Sequence, residues 1–135
     1  MKKVFIDGSE GTTGLRIFER FVGRDDIELL KIPSEQRKNP DEIKKYINAS
    51  DITFLCLPDA AAQEAVAMVE NENVIIIDTS TAHRTKEGWA YGYPELSDNH
   101  RNAIKHTGHF PLFLPVCAAY PHKAWKPHRL SCFHL

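Results

Sequence analysis

Four short apolar runs, separated by segments with helical spacing, constrain this chain more than any other feature. Val74 to Ile77 is apolar without alternation, and Val4-Phe5-Ile6, Ile27 to Ile32 and Ile52 to Leu57 are predominantly apolar. A strand with one wet face alternates, whereas a continuous run marks a strand buried on both faces, as in a parallel sheet covered by helices. Between the runs, Leu15, Ile17, Phe18, Phe21 and Val22 recur at helical spacing. A helix is predicted over about Asp41 to Asn48, with Pro40 in its first turn, and another over Ala60 to Glu70, with Asp59 able to cap it. Ser97 and Asp98 open a last helix to about His106. The expected fold class is α/β, a Rossmann-like parallel sheet with helices on both faces.

Charge and composition divide the chain near residue 105. All 18 acidic residues lie at or before Asp98, and the part before His106 carries a net −4. From His106 onward there are five of the seven histidines, four of the eight prolines and a net charge of +3. The expected organisation is a dinucleotide-binding domain over 1–105 and an irregular tail over 106–135, since Pro111, Pro115, Pro121 and Pro127 interrupt any periodicity. At 135 residues the expectation is one domain with no second catalytic domain. A whole-chain charge of −1 points to no nucleic-acid partner. The apolar run after Lys2 and Lys3 is too short for a signal segment or a membrane span, so the expected location is cytoplasmic.

The first strand runs directly into Gly8-Ser9-Glu10-Gly11-Thr12-Thr13-Gly14, which opens the first helix. Glycines at such a junction permit positive φ and close backbone approach, and the helix start turns its N–H groups toward an anion such as a pyrophosphate. The spacing is G-x-x-G-x-x-G, a variant of the dinucleotide pattern; as a bare pattern it equally describes a tight strand-to-helix turn. Lys31-Ile32-Pro33-Ser34 follows the second strand, with Glu35, Arg37 and Lys38 behind it. Ser34, Arg37 and Lys38 offer a hydroxyl and two cations to a ribose 2′-phosphate, which favours NADP over NAD. Backbone at Cys56-Leu57-Pro58, ending the third strand, and Ser80, beyond the fourth, are expected to line the nicotinamide half. Cys56 itself is expected to be an inert core residue.

The three cysteines, Cys56, Cys117 and Cys132, have no C-x-x-C spacing, which disfavours a disulfide framework or a zinc site. His106, His109, Cys117, His122, His128, Cys132 and His134 lack the short repeated spacings of structural zinc sites, so no metal is expected.

Taken together, Ile6-Asp7-Gly8 with Gly11-Thr12-Thr13-Gly14, Cys56-Leu57-Pro58-Asp59, Ile77 to Arg84 and Tyr91-Gly92-Tyr93-Pro94-Glu95-Leu96 resemble the N-acetyl-gamma-glutamyl-phosphate reductase family, in its shorter bacterial subgroup. The resemblance runs from Met1 to about Lys105 and is most specific at Tyr91 to Leu96. It implies an oxidoreductase of arginine biosynthesis that uses NADPH to convert an acyl phosphate, through a cysteine thioester, to N-acetyl-glutamate semialdehyde. It also implies a second domain carrying an acid/base histidine, and a homo-oligomer in the full-length family. The family nucleophile lies in Asn-Pro-Gly-Cys-Tyr about twenty residues beyond Pro-Glu-Leu, where this chain reads Leu114-Pro115-Val116-Cys117-Ala118-Ala119-Tyr120. Cys117 is the candidate catalytic residue by position. The loss of the surrounding motif, at the point where composition changes, suggests that residues after about 105 are read in a shifted frame, a true short isoform being the alternative. Two other functions stay open: an NADP-binding module without catalysis, and a relative of aspartate-semialdehyde dehydrogenase.

Overall fold

A computed structural model of the chain describes residues 1–90 and 97–106, together with the backbone of 109–111. The elements are β1 (Lys2–Asp7), α1 (Thr12–Phe21), β2 (Ile27–Leu30), a single 3-10 turn (Ser34–Gln36), α2 (Pro40–Ala49), β3 (Ile52–Leu55), α3 (Asp59–Ala67), β4 (Ile75–Asp78), α4 (Asp98–His106) and β5 (His109–Pro111). All strand pairs are parallel, in the order β2-β1-β3-β4-β5. The chain moves from β1 outward to β2 and then returns past β1 to β3. The β1/β3 boundary is therefore the topological switch point, and ligands of open α/β sheets bind in the crevice beyond the carboxyl ends of such strands.

Successive apolar residues of β1, β3 and β4 enter opposite cores, so these runs need no polar face. Val4, Ile6, Ile52, Phe54, Ile75 and Ile77 face a core closed by Phe21 of α1 and Ile104 of α4. Phe5, Leu55 and Ile76 face a second core with Ile47 of α2 and Ala65 of α3. The helices thus cover both faces of the sheet. Within α1 the inward stripe is Gly14, Ile17, Phe18 and Phe21, while Leu15, and Val22 just past the helix, remain exposed.

The element ends show what local pattern misses. Ile32 and Leu57 extend the apolar runs past the last ladder residues Leu30 and Leu55 because both continue to pack against the second core after leaving the sheet. Asn39 caps α2, its side chain accepting from the Asp41 N–H at 3.0 Å, with Pro40 at the first helical position as expected. Ser97 caps α4 by accepting from the His100 N–H at 3.3 Å. Asp59 does not cap α3: it is the helix's first residue, and its carboxylate instead accepts from the N–H and hydroxyl of Thr81. The α3–β4 connection is held by Asn48, whose side-chain oxygen accepts from the N–H groups of Glu70 and Asn71 and whose amide donates to the carbonyl of Met68. β5 lies in the stretch expected to be irregular. Its three residues pair with Ile76, Ile77 and Asp78, so backbone pairing to β4 makes the strand where the sequence offers no period. As the edge strand of the described sheet it tolerates Pro111.

Candidate functional site

The carboxyl ends of β1 and β3 meet in a tight backbone junction. The Cys56 N–H donates to the Asp7 carbonyl at 2.9 Å, and the Gly11 N–H donates to the Gly8 carbonyl at 3.0 Å, closing the turn before α1. Gly8 has φ +78°, and a Cβ there would sit 2.3 Å from the carbonyl oxygen of Cys56. A Cβ on Gly14 would lie 2.2 Å from the Gly8 carbonyl oxygen and 2.8 Å from the Ser9 Cα. Both glycines are required by contacts of the chain with itself.

Gly11 is different. Its φ is −71° and ψ 162°, an extended conformation open to any residue, and a Cβ there would meet only the Gly8 oxygen, at an ordinary 3.4 Å. Among the described contacts, none requires glycine here, and its small size leaves the backbone open to close approach. Gly11 is also the N-cap of α1, no side chain caps that helix, and its first turn holds no acidic residue. The first N–H groups of a helix have no intrahelical partners, so those of Thr12, Thr13 and Gly14 are open to an acceptor at this helix start. The helix start is compatible in charge with an anionic group such as a pyrophosphate.

The loop after β2 closes against the same turn. The Arg37 guanidinium forms an ion pair with the Glu10 carboxylate, and its Nε donates to the Ser34 carbonyl at 3.4 Å. Ser34 and Lys38 are exposed and Arg37 is half-buried. The structure therefore brings Gly8 through Gly14 together with Ser34, Arg37 and Lys38 at one edge of the sheet. Cys56 and Leu57 continue that edge beyond β3 and Pro58 is exposed there.

Beyond β4, Ser80 is buried and its hydroxyl donates to Asp78 Oδ2 at 2.7 Å while its N–H donates to Oδ1 at 2.9 Å. Sequence reasoning missed the partner of this unit. His83 Nδ1 lies 2.6 Å from the same carboxyl oxygen, both side chains are fully buried, and Trp89 stacks on the imidazole with centroids 4.1 Å apart. His83 Nε2 has no hydrogen-bond partner among the described residues. The available signal was an aspartate ending an otherwise apolar buried strand, since a buried carboxyl group needs donors nearby.

Two ionisable groups at the switch point are perturbed. Burial raises the pKa of Asp7, an effect only partly offset by the Gly8 N–H. Burial also pushes the Cys56 thiol up to about 12; a hydrogen bond from Thr79 acts against that, and the carboxyl groups of Asp7 and Asp78 reinforce it. A thiol so placed is not a nucleophile near neutral pH. Cys117, the tail histidines beyond His106, and the Tyr91–Leu96 motif lie outside the described side chains. No group of three metal-binding side chains comes together among the described residues, and no described helix is long and apolar enough to cross a membrane.

A doubly covered parallel sheet with a glycine turn at its switch point defines the class: a dinucleotide-binding α/β domain. Residues 3–106 match the family model described as semialdehyde dehydrogenase, NAD binding domain, and the chain belongs to that family. It is 52% identical over 104 residues to an N-acetyl-gamma-glutamyl-phosphate reductase of Burkholderia ambifaria, covering 77% of this chain and 33% of that protein. It is 53% identical over 102 residues to the enzyme of the same name from Trichormus variabilis, covering 76% of this chain and 32% of that protein. The chain therefore spans about a third of the length of these relatives. Among solved structures, aspartate semialdehyde dehydrogenase with NADP from Candida albicans superposes with a TM-score of 0.57 at 14% identity, over 78% of this chain and 37% of that one. The enzyme from Francisella tularensis gives 0.56 at 16% identity, over 82% and 36%. At these identities the structural likeness shows the fold.

Proposed function

We propose that this chain is the NADP-binding portion of an N-acetyl-gamma-glutamyl-phosphate reductase, and that it contributes cofactor binding rather than complete catalysis. The observation that carries the reading is the contrast among the three glycines: backbone contacts exclude a side chain at Gly8 and Gly14, whereas no contact of the fold excludes one at Gly11. The Gly8–Gly14 turn would hold the pyrophosphate. Ser34, Arg37 and Lys38 would meet the ribose 2′-phosphate and so prefer NADPH to NADH. Backbone at Cys56, Leu57 and Pro58, with Ser80 fixed by Asp78, would border the nicotinamide. When bound, that cofactor supplies the hydride for reduction of an acyl group.

The identity of about half over the matched stretch supports the acyl phosphate of N-acetyl-glutamate as the substrate class, and a cytoplasmic biosynthetic role. Chemistry needs a thiolate, and Cys56 is held far from that state. Cys117 is the remaining candidate by position, without the Asn, Gly and Tyr that flank the family nucleophile. The purified chain is accordingly expected to bind NADPH and to show little or no reduction of the acyl phosphate. Turnover at ordinary enzyme rates that disappears in Cys117→Ser would overturn the second expectation, and absence of nucleotide binding would overturn the first.

A further inference from the structure

The Glu10–Arg37 ion pair joins the turn proposed for the pyrophosphate to the loop proposed for the 2′-phosphate. Its position has a consequence that neither residue has alone. A dinucleotide site that prefers NAD places an acidic side chain by the adenosine ribose, where it accepts from the 2′-hydroxyl; one that prefers NADP places a cation there for the phosphate. This chain places one of each at the same edge, in contact, and the acid comes from the glycine turn instead of the end of β2. Glu10 is the more exposed partner, with 73% of its side chain accessible against 36% for Arg37. The guanidinium also donates from Nε to the Ser34 carbonyl. Its position is thus fixed by its own loop as well as by Glu10.

We propose that Glu10 is a cofactor-discriminating residue, a built-in counter-ion on Arg37 that a ribose 2′-phosphate must displace and that a 2′-hydroxyl need not. The proposal rests on the nucleotide reading above. A phosphate dianion and a carboxylate on one guanidinium repel each other, so Glu10 weakens binding of the phosphorylated cofactor. The unphosphorylated cofactor leaves the pair intact and gains an acceptor. Glu10 thereby narrows the preference that Arg37 creates, leaving the domain less selective than its cationic loop alone would make it. Exposed ion pairs are weak, and a single screened carboxylate beside a dianion adds a similar amount, so the effect on relative affinity is about three- to tenfold.

The test is titration of the whole chain with NADPH and with NADH, followed by nicotinamide fluorescence, for the parent, Glu10→Gln, Arg37→Met and the double variant. Thermal melts establish that each variant is folded. The proposal predicts that Glu10→Gln raises the NADPH-to-NADH affinity ratio about three- to tenfold. It also predicts that Arg37→Met brings the ratio toward one, and that Glu10→Gln changes the ratio less in the Arg37→Met background, where no guanidinium is shared. The ratio is the discriminating readout, since relief of repulsion at the pyrophosphate would affect both cofactors alike. If both cofactors bind and Glu10→Gln leaves the ratio unchanged, or lowers it, the proposal is overturned while the nucleotide reading stands. If neither cofactor binds the folded parent, both fall together.

Discussion

Replacing the three turn glycines one at a time separates folding from binding. In Gly11→Ser, the backbone at φ −71° and ψ 162° is that of an N-cap residue, and α1 has no side-chain cap. A serine there can accept from an N–H of the first turn, and serine exceeds glycine at this position by only a few tenths of a kcal/mol. The new Cβ meets nothing closer than 3.4 Å. The expected melting temperature is therefore within about 2 °C of the parent, on the scale of about 3–5 °C per kcal/mol for a chain of this size. The same side chain occupies the helix start and consumes a donor, so affinity for either cofactor should fall at least about tenfold, or about 1.4 kcal/mol. Gly14→Ala reverses the pattern. It gains about 1 kcal/mol of helix propensity, yet must push a methyl group against Gly8 and Ser9 backbone atoms at 2.2 and 2.8 Å. Overpacking of that kind leaves a net loss of about 2 kcal/mol. Gly8→Ala adds a left-handed conformation, costing about 1–2 kcal/mol, to its contact with the Cys56 carbonyl. Differential scanning fluorimetry with cofactor titration reads both quantities. A Gly11→Ser variant that binds like the parent, or that unfolds like Gly14→Ala, would refute the division of roles.

Three further outcomes are expected. Cys56 should resist iodoacetamide in the folded chain at pH 8, since a thiol near 12 is only about 0.01% thiolate there; labelling at the rate of an exposed thiol would contradict its burial. The raised pKa of Asp7 means that the folded chain keeps a proton the unfolded chain has released, so between 3.8 and the raised value stability falls as pH rises. Asp7→Asn should therefore raise the melting temperature at pH 7 to 8, with the gain shrinking as pH falls toward the ordinary carboxylate range; a gain that is independent of pH would exclude this cause. Translating the other two frames of the gene past codon 105 should uncover an Asn-Pro-Gly-Cys-Tyr-like segment followed by a long apolar-patterned domain, and its absence from both frames refutes a shifted frame.

The sheet was legible because its strands are short and apolar on both faces, so Val4 to Ile6 and Ile52 to Leu55 announce themselves without any partner. The glycine turn was legible because its place between strand and helix gives the spacing a meaning. What local pattern does not contain is contact between distant segments. Asp59 reads as a cap until Thr81 is brought beside it. Glu10 and Arg37 meet only because the loops after β1 and β2 leave the same sheet edge. His83 stands in the Ile77 to Arg84 motif without a role that sequence assigns it, and becomes part of a buried unit once the chain turns back on Asp78. β5 depends on pairing to β4, which no apolar run in His109 to Pro111 signals.

The central claim is that this domain receives a 2′-phosphorylated dinucleotide across the glycine turn and the loop after β2. An NMR titration of the isotopically labelled chain with NADPH tests it most directly. Saturable amide shifts should concentrate at Gly8 through Gly14, at Ser34, Arg37 and Lys38, and around Cys56 and Ser80. The same titration with NADH should reproduce the glycine-turn shifts at higher ligand concentration and lose most of those at Arg37 and Lys38. Saturable shifts confined to another surface, or none at millimolar NADPH, would contradict the account.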